Sequence, residues 1–399
     1  MQRFMHRGLI VLAIIGLTFS VQASDIELRE DHPREYIVQE GDTLWDIAGR
    51  FLARPWQWPA IWQANPEIDN PHLIFPGDRI TLAFFGGEPR LMVDGTRRLS
   101  PEIRRESIEG PINTIPYDAM APFLRNPRIV DPDAVADLPY IVANFEQRIY
   151  AGTGDRTYVR GMDNARVGQE VMIARMTYQF VDRSEENGEM RLRRNRMQRD
   201  DRVQVPFDER PAGRVWQATL GRMERFNYPV IGYELWEAAR ARVIQAGDPA
   251  VLELISGRRE VTTGDFVLPL DDYRHDVNFF PRAMDEVPDN ARVLAISEAY
   301  YGVGHYQIVA LSVGTADGIE AGHTFSAFRP GQTVEDRQAN HMVRGGRQRG
   351  RDNQVTLPDE YAGVLMVFRP FENISYAIVM DGTNAIRVDD RLDHPDRRL

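Results

Sequence analysis

The sequence predicts an α+β chain, a small N-terminal βααβ module followed by mainly-β tandem modules built as small barrels or sandwiches. Three observations carry this reading. Between Tyr36 and Leu82, two short alternating runs flank two stretches of helical apolar spacing. From about residue 140 the apolar residues fall in short runs punctuated by glycine, with Trp236 to Ile244 the one helix-ambiguous stretch. Those runs also recur, since Asn164 to Val171 (NARVGQEV) matches Gly318 to Phe325 (GIEAGHTF) in the placing of a glycine, a polar residue and an apolar one two further on.

Residues 1–23 have the pattern of a secretory signal peptide: Arg3 and Arg7, an apolar run from Gly8 to Phe19, and the small-residue site Val21-Gln22-Ala23. The run is shorter than the roughly twenty residues that span a bilayer, so cleavage after Ala23 is expected and no transmembrane segment in the mature chain. The 399 residues carry a formal charge of −11, and removing the leader takes away only arginines and no acids, which argues against nucleic acid as a partner. All 48 basic residues are arginine, which excludes a lysine nucleophile. Cysteine is absent, which excludes disulfides, a thiolate nucleophile and lipid attachment through a lipobox.

The module, assigned to residues 24–84, reads element by element. Tyr36 and Val38 alternate on one strand face, and Gly41-Asp42 ends the strand. Thr43-Leu44-Trp45-Asp46 fits a capping box, with Asp46 near the positive end of the helix dipole. Leu44, Ile47, Ala48 and Phe51 then recur at i, i+3, i+4 and i+7 as one buried stripe. Pro59 suits the first turn of a second helix that presents Trp58, Ile61, Trp62 and Asn65 on one face and stops at Asn65-Pro66. Pro76-Gly77-Asp78 turns into a closing strand, Arg79 to Leu82. Regular elements this short spend their apolar faces on the core, so backbone donors and acceptors stay free where the two loops meet.

The segment YIVQEGDTLWDIAGRF, followed by WPAIWQANP and NPHLIFPGDRITL, resembles a LysM module, which grips N-acetylglucosamine-containing glycans such as peptidoglycan or chitin. The resemblance covers about an eighth of the chain. It implies a shallow glycan groove between the first strand–helix loop, here Gly41, Asp42, Thr43 and Leu44, and the second helix–strand loop, Asn65 to Ile74. In the second loop Pro66, Ile68, Pro71, Leu73 and Ile74 would pack on pyranose faces and acetamido methyls. Asp42, Thr43 and Asn65 serve equally well as caps. Trp58 and Trp62 fall on the buried face, and Trp56 is left unassigned.

Residues 85–139 read as a proline-rich bridging segment: eight of the chain's 25 prolines fall between Phe84 and Pro139. Within it NTIPYDAMAPFL is apolar enough to dock on a neighbour. Two β-rich copies follow, at 140–270 and 290–399, joined by a connector at 271–289. Gly152-Thr153-Gly154 is set against Gly302-Val303-Gly304, Gly232 against Gly363, and Gly257, Val261 and Asp265 against Gly382, Ile386 and Asp390. This tail resembles the C-terminal part of long LysM-containing envelope proteins of Gram-negative bacteria, which implies a location and no mechanism.

Catalytic constellations are weak. The eight histidines never reach HxH or HExxH spacing, so no metal and no cofactor is expected. Gly302-Val303-Gly304-His305-Tyr306-Gln307 echoes the GxxGLxQ segment of lytic transglycosylases, yet the only Glu-Ser pair, Glu106-Ser107, lies in the bridge. The arginine-rich stretches Met190 to Arg199 and Arg344 to Arg351 are flanked by acids and read as solvated insertions. The expectation is a non-catalytic peptidoglycan binder of the periplasm or cell envelope, whose β modules act as scaffold or adaptor for an envelope protein. The alternative is a peptidoglycan-remodelling hydrolase with an unrecognised carboxylate site, such as Asp271-Asp272 or Asp389-Asp390.

Overall fold

A computed structural model describes residues 26–62, 74–94, 119–121, 123, 127–181, 230–270, 279–297, 302–336 and 354–397. Both arginine-rich stretches, the leader, Asp271-Asp272 and Glu106-Ser107 lie outside them.

The N-terminal module is a three-stranded antiparallel sheet, β1 (Glu35–Ile37), β2 (Arg79–Phe85) and β3 (Glu88–Asp94), against helices α1 (Leu44–Phe51) and α2 (Trp58–Trp62). The stripe Leu44, Ile47, Ala48 and Phe51 is buried with Trp58, Ile61, Trp62, Ile74 and Ile80, as the periodicity predicts. The third strand is a departure from the expected connector. Gly86 and Gly87, at φ +62° and +95°, turn the chain back on β2, and Leu91 is fully buried in the module core. Its neighbours Pro89 and Arg90 mask the strand in sequence, because proline is tolerated only at strand starts and edges.

The remainder is mainly β and forms two six-stranded rings. In the first, β5 (Tyr140–Asn144), β6 (Arg156–Arg160), β7 (Glu170–Val181), β8 (Val230–Gln245), β9 (Ala250–Gly257) and β10 (Phe266–Pro269) close in the order β7-β8-β9-β6-β5-β10. An extra strand, β4 (Pro127–Val130), lies along the free part of β8. In the second, β12 (Val293–Ile296), β13 (Ile308–Leu311), β14 (His323–Arg329), β17 (Glu360–Pro370), β18 (Ser375–Gly382) and β19 (Arg391–Asp393) follow the order β14-β17-β18-β13-β12 with β19 on β14. A bridge between Arg292 and Arg391 closes it. A short strand β11 (Arg282–Ala283) runs parallel to β14, and β15 (Thr333–Glu335) pairs with β16 (Gln354–Thr356) apart from the ring. Closure leaves each ring without a bare edge, and each encloses an aliphatic core.

The rings repeat one strand order, and their hydrogen bonds set the register. Ala151 bridges Val261 in the first and Val303 bridges Ile386 in the second, so Val261 answers Ile386. Asp265 and Asp390 are both buried, each accepting a backbone N–H three residues earlier, from Thr262 and Arg387, at 2.8 Å. Arg175 and Arg329 reach the matching carbonyls of Glu260 and Ala385 at 2.9 and 2.8 Å. Two of the glycine matches drawn from sequence shift. Gly304 answers Gly152, and Gly154 answers Tyr306, since the N–H of Gly154 meets Leu254 O and that of Tyr306 meets Val379 O, both at 2.8 Å. Gly363 answers Ala239 on the same logic, while Gly232 sits against Ile129 and Ile374.

The modules share one core. The far halves of β7 and β8 project beyond the first ring and lie over the outer face of the second. There Tyr178 and Phe180 join Val364, Met366, Phe368, Tyr376, Ile378 and Met380. Met120 and Phe123 of the bridging segment dock there too, and Trp45 and Trp56 enter from the N-terminal module. This explains the unbroken apolar runs VLMVF and YAIVM: Leu365, Val367, Ala377 and Val379 fill the ring while their neighbours fill the shared core. Inside that contact, buried Glu234 accepts from Thr177 Oγ1 at 2.8 Å and from Tyr376 OH at 2.7 Å. Burial, with Glu234 beside it, raises the Tyr376 phenol well above its ordinary range.

Candidate functional site

The first predicted loop is pinned by local chemistry. Gly41 takes φ +88° with open space around it, a conformation that suits glycine alone. Asp42 Oδ2 accepts the Tyr36 hydroxyl and the Gln39 N–H, both at 2.8 Å, and the Arg50 guanidinium lies 4.3 Å over the Tyr36 ring. Thr43 caps α1: its Oγ1 accepts the Asp46 N–H at 3.1 Å and donates to Asp46 Oδ2 at 2.7 Å, and Asp46 accepts the Thr43 N–H in return. Aspartate thus closes the box that the spacing predicts.

The ten residues expected to meet glycan divide three ways. Gly41, Asp42 and Thr43 sit together on the first loop. Leu44 and Ile74, each 1% exposed, belong to the module core, which corrects the expectation that the Ile74 side chain packs on sugar. Asn65, Pro66, Ile68, Pro71 and Leu73 lie outside the described residues.

Sequence reasoning missed several residues at this end of the molecule. Phe75 stands exposed at the exit of the second loop, where its N–H is held by Asp78 Oδ2 at 2.9 Å. Trp45 and Trp56 are buried against the second ring and not open to solvent. From that ring, Tyr306 donates its hydroxyl to Asp46 Oδ1 at 2.7 Å, so the helix cap is shared between modules. Burial and the bond to Asp46 raise the Tyr306 phenol pKa far above its usual range. Tyr306 holds φ +62°, the left-handed position that Gly154 fills in the first ring. A tyrosine there costs about 1–2 kcal/mol of backbone strain, offset by the contact its side chain makes. Arg54 also reaches Asp396 at 3.3 Å, and Trp58 lies 5.8 Å from the Phe280 ring. The sequence match of Gly154 with Gly304 hid this signal, since Tyr306 falls opposite Gly154 only in the register that the hydrogen bonds set.

This geometry, a capped first loop on a βααβ core, is that of a small α+β module. Residues 36–83 match the LysM domain family, and this stretch is a LysM domain. The chain is also 38% identical over 60 residues to YqbP, an uncharacterized protein of Bacillus subtilis strain 168. That likeness covers 12% of this chain and 27% of the relative. LysM domains bind N-acetylglucosamine glycans, and the domain is a binding module rather than a catalytic one. No helix among the described residues is long and apolar enough to cross a membrane.

Proposed function

We propose that this protein is an exported, non-catalytic binder of peptidoglycan, active in the periplasm of a Gram-negative envelope. The LysM domain at residues 36–83 carries the proposal. Gly41, Asp42, Thr43 and the backbone of Leu44 form one wall of the glycan groove. The LysM resemblance assigns the other wall to Asn65, Pro66, Ile68, Pro71, Leu73 and Ile74. The two rings act as scaffold or adaptor, holding the domain in a fixed orientation and offering surface to an envelope protein. A single domain binds weakly, but murein repeats its binding site along every strand, so rebinding at high local concentration retains the protein.

The test is co-sedimentation of the full chain with purified sacculi, competed with chitin oligomers. Retention that free oligomer abolishes supports the reading, and failure to sediment refutes it. Muropeptide release in the same tube would establish the hydrolase alternative. Recovery of the full-length product from the cytosol with its first 23 residues intact would remove the assignment to the envelope.

A further inference from the structure

The LysM domain and the second ring enclose a groove of about 580 Å³, within the range of small-ligand sites. One side is formed by α1, with Asp46 and Arg50, and by the segment from Glu27 to Asp31 that precedes the domain, and the other by His305 with Asp381 at the end of β18. Asp46 belongs to both places: it closes the cap of the first glycan loop and lines the groove. The His305 ring is exposed and stacks on Tyr306, with centroids 3.5 Å apart and planes 28° from parallel. The Tyr306 hydroxyl in turn holds Asp46. An aromatic platform from a different module is therefore fixed beside the glycan loop by a hydrogen bond. Carboxylates and the guanidinium groups of Arg29 and Arg50 surround it, and these are groups that pair with sugar hydroxyls.

Resting on the glycan-binding reading above, we propose that this groove is an added sugar subsite. In it the second ring, through His305 and Asp381, holds N-acetylamino sugar units beyond those gripped by the LysM loops. A chain lying across Gly41 to Leu44 continues onto the His305 face, so long oligomers touch both modules and short ones only the first. The stacked histidine supplies an apolar face for a pyranose ring, and Asp381 accepts from its hydroxyls. Recognition is by shape and hydrogen bonding of an uncharged chain, so the stem peptides of murein are not required.

The experiment is calorimetric titration of the full chain with chitotriose and chitohexaose, comparing wild type with His305→Ala and Asp381→Asn. Wild type is expected to bind the hexamer more tightly than the trimer. His305→Ala should weaken the hexamer roughly fivefold to tenfold, the worth of one ring contact, and leave the trimer within about twofold. Equal wild-type affinity for both oligomers, or a hexamer affinity untouched by both variants, overturns the subsite. So does sensitivity to His305→Ala seen only with peptide-bearing muropeptides, which would make the groove a peptide site. Wild type that binds neither oligomer refutes the glycan-binding reading itself, a result distinct from failure of the subsite alone. Both substitutions lie on exposed positions, and an unchanged melting curve confirms that the fold is kept.

Discussion

Replacing Trp45 with alanine should detach the LysM domain from the rings while leaving the domain folded. Trp45 is 3% exposed, yet it is absent from the domain's own core, which Leu44, Ile47, Ala48 and Phe51 fill together with α2 and the sheet. Its ring belongs to the shared core and lines the same groove as Met380. Truncating a buried tryptophan to alanine costs about 3–5 kcal/mol, and here that loss falls on the contact between modules. Every 1.4 kcal/mol is a factor of ten, so docking should weaken roughly a hundredfold to a few thousandfold. Trp56 in the shared core and the Trp58–Phe280 contact survive the change, and the two polar ties, the Tyr306–Asp46 bond and the partly exposed Arg54–Asp396 pair, add about 1–3 kcal/mol together. Calorimetry reads this directly. Wild type should show the domain and second ring melting in one transition. The Trp45→Ala variant should show two, with its LysM amides still protected from hydrogen exchange at low temperature. Ile47→Ala, inside the domain core, should instead abolish that protection. A single transition in the Trp45 variant, or loss of α1 protection equal to that of Ile47→Ala, would refute the idea that this tryptophan serves docking.

Thr43→Ala removes the cap of α1 and should destabilise the domain by about 1 kcal/mol, read as increased amide exchange over Asp46 and Ile47; no change would show the box contributes nothing. Tyr376→Phe leaves buried Glu234 short of one donor and should cost about 1–3 kcal/mol in chemical denaturation. Asp390 should give the second ring a pH signature. Burial pushes its carboxyl up to about 6, so the folded chain holds this proton more tightly than the unfolded one. The ring therefore gains stability as pH falls through 6 towards 4, on the order of 3 kcal/mol, and loses that gain as pH rises again. The stability of wild type relative to Asp390→Asn should rise by about 2 kcal/mol from pH 7.5 to pH 4.5, and a difference flat across that range would contradict the burial argument.

Local chemistry made much of the LysM domain readable from the chain. A cap, a turn glycine and an i, i+3, i+4, i+7 stripe act over a few residues, so Thr43, Asp46, Gly41 and the α1 core follow from spacing alone. The conformation of the first loop was readable for the same reason, while the Leu44 and Ile74 side chains proved to be core. The duplication was visible through Gly257, Val261 and Asp265 against Gly382, Ile386 and Asp390, because ring closure demands the same turns in both copies. Register was less secure at Gly152 and Gly232, where glycine recurs for reasons of its own.

The sequence by itself determined the βααβ domain, the capped loop that opens α1 and the β character of the tail, each set by short-range periodicity and turn chemistry. Only the tertiary structure decided that Trp45 and Trp56 meet a ring hundreds of residues away, that β3 extends the domain sheet, and that Tyr306 rather than glycine holds a left-handed turn. A buried face looks the same in sequence whatever covers it. Burial of apolar surface is non-directional, so the identity of the covering module is fixed by how the chain closes on itself and not by any local pattern.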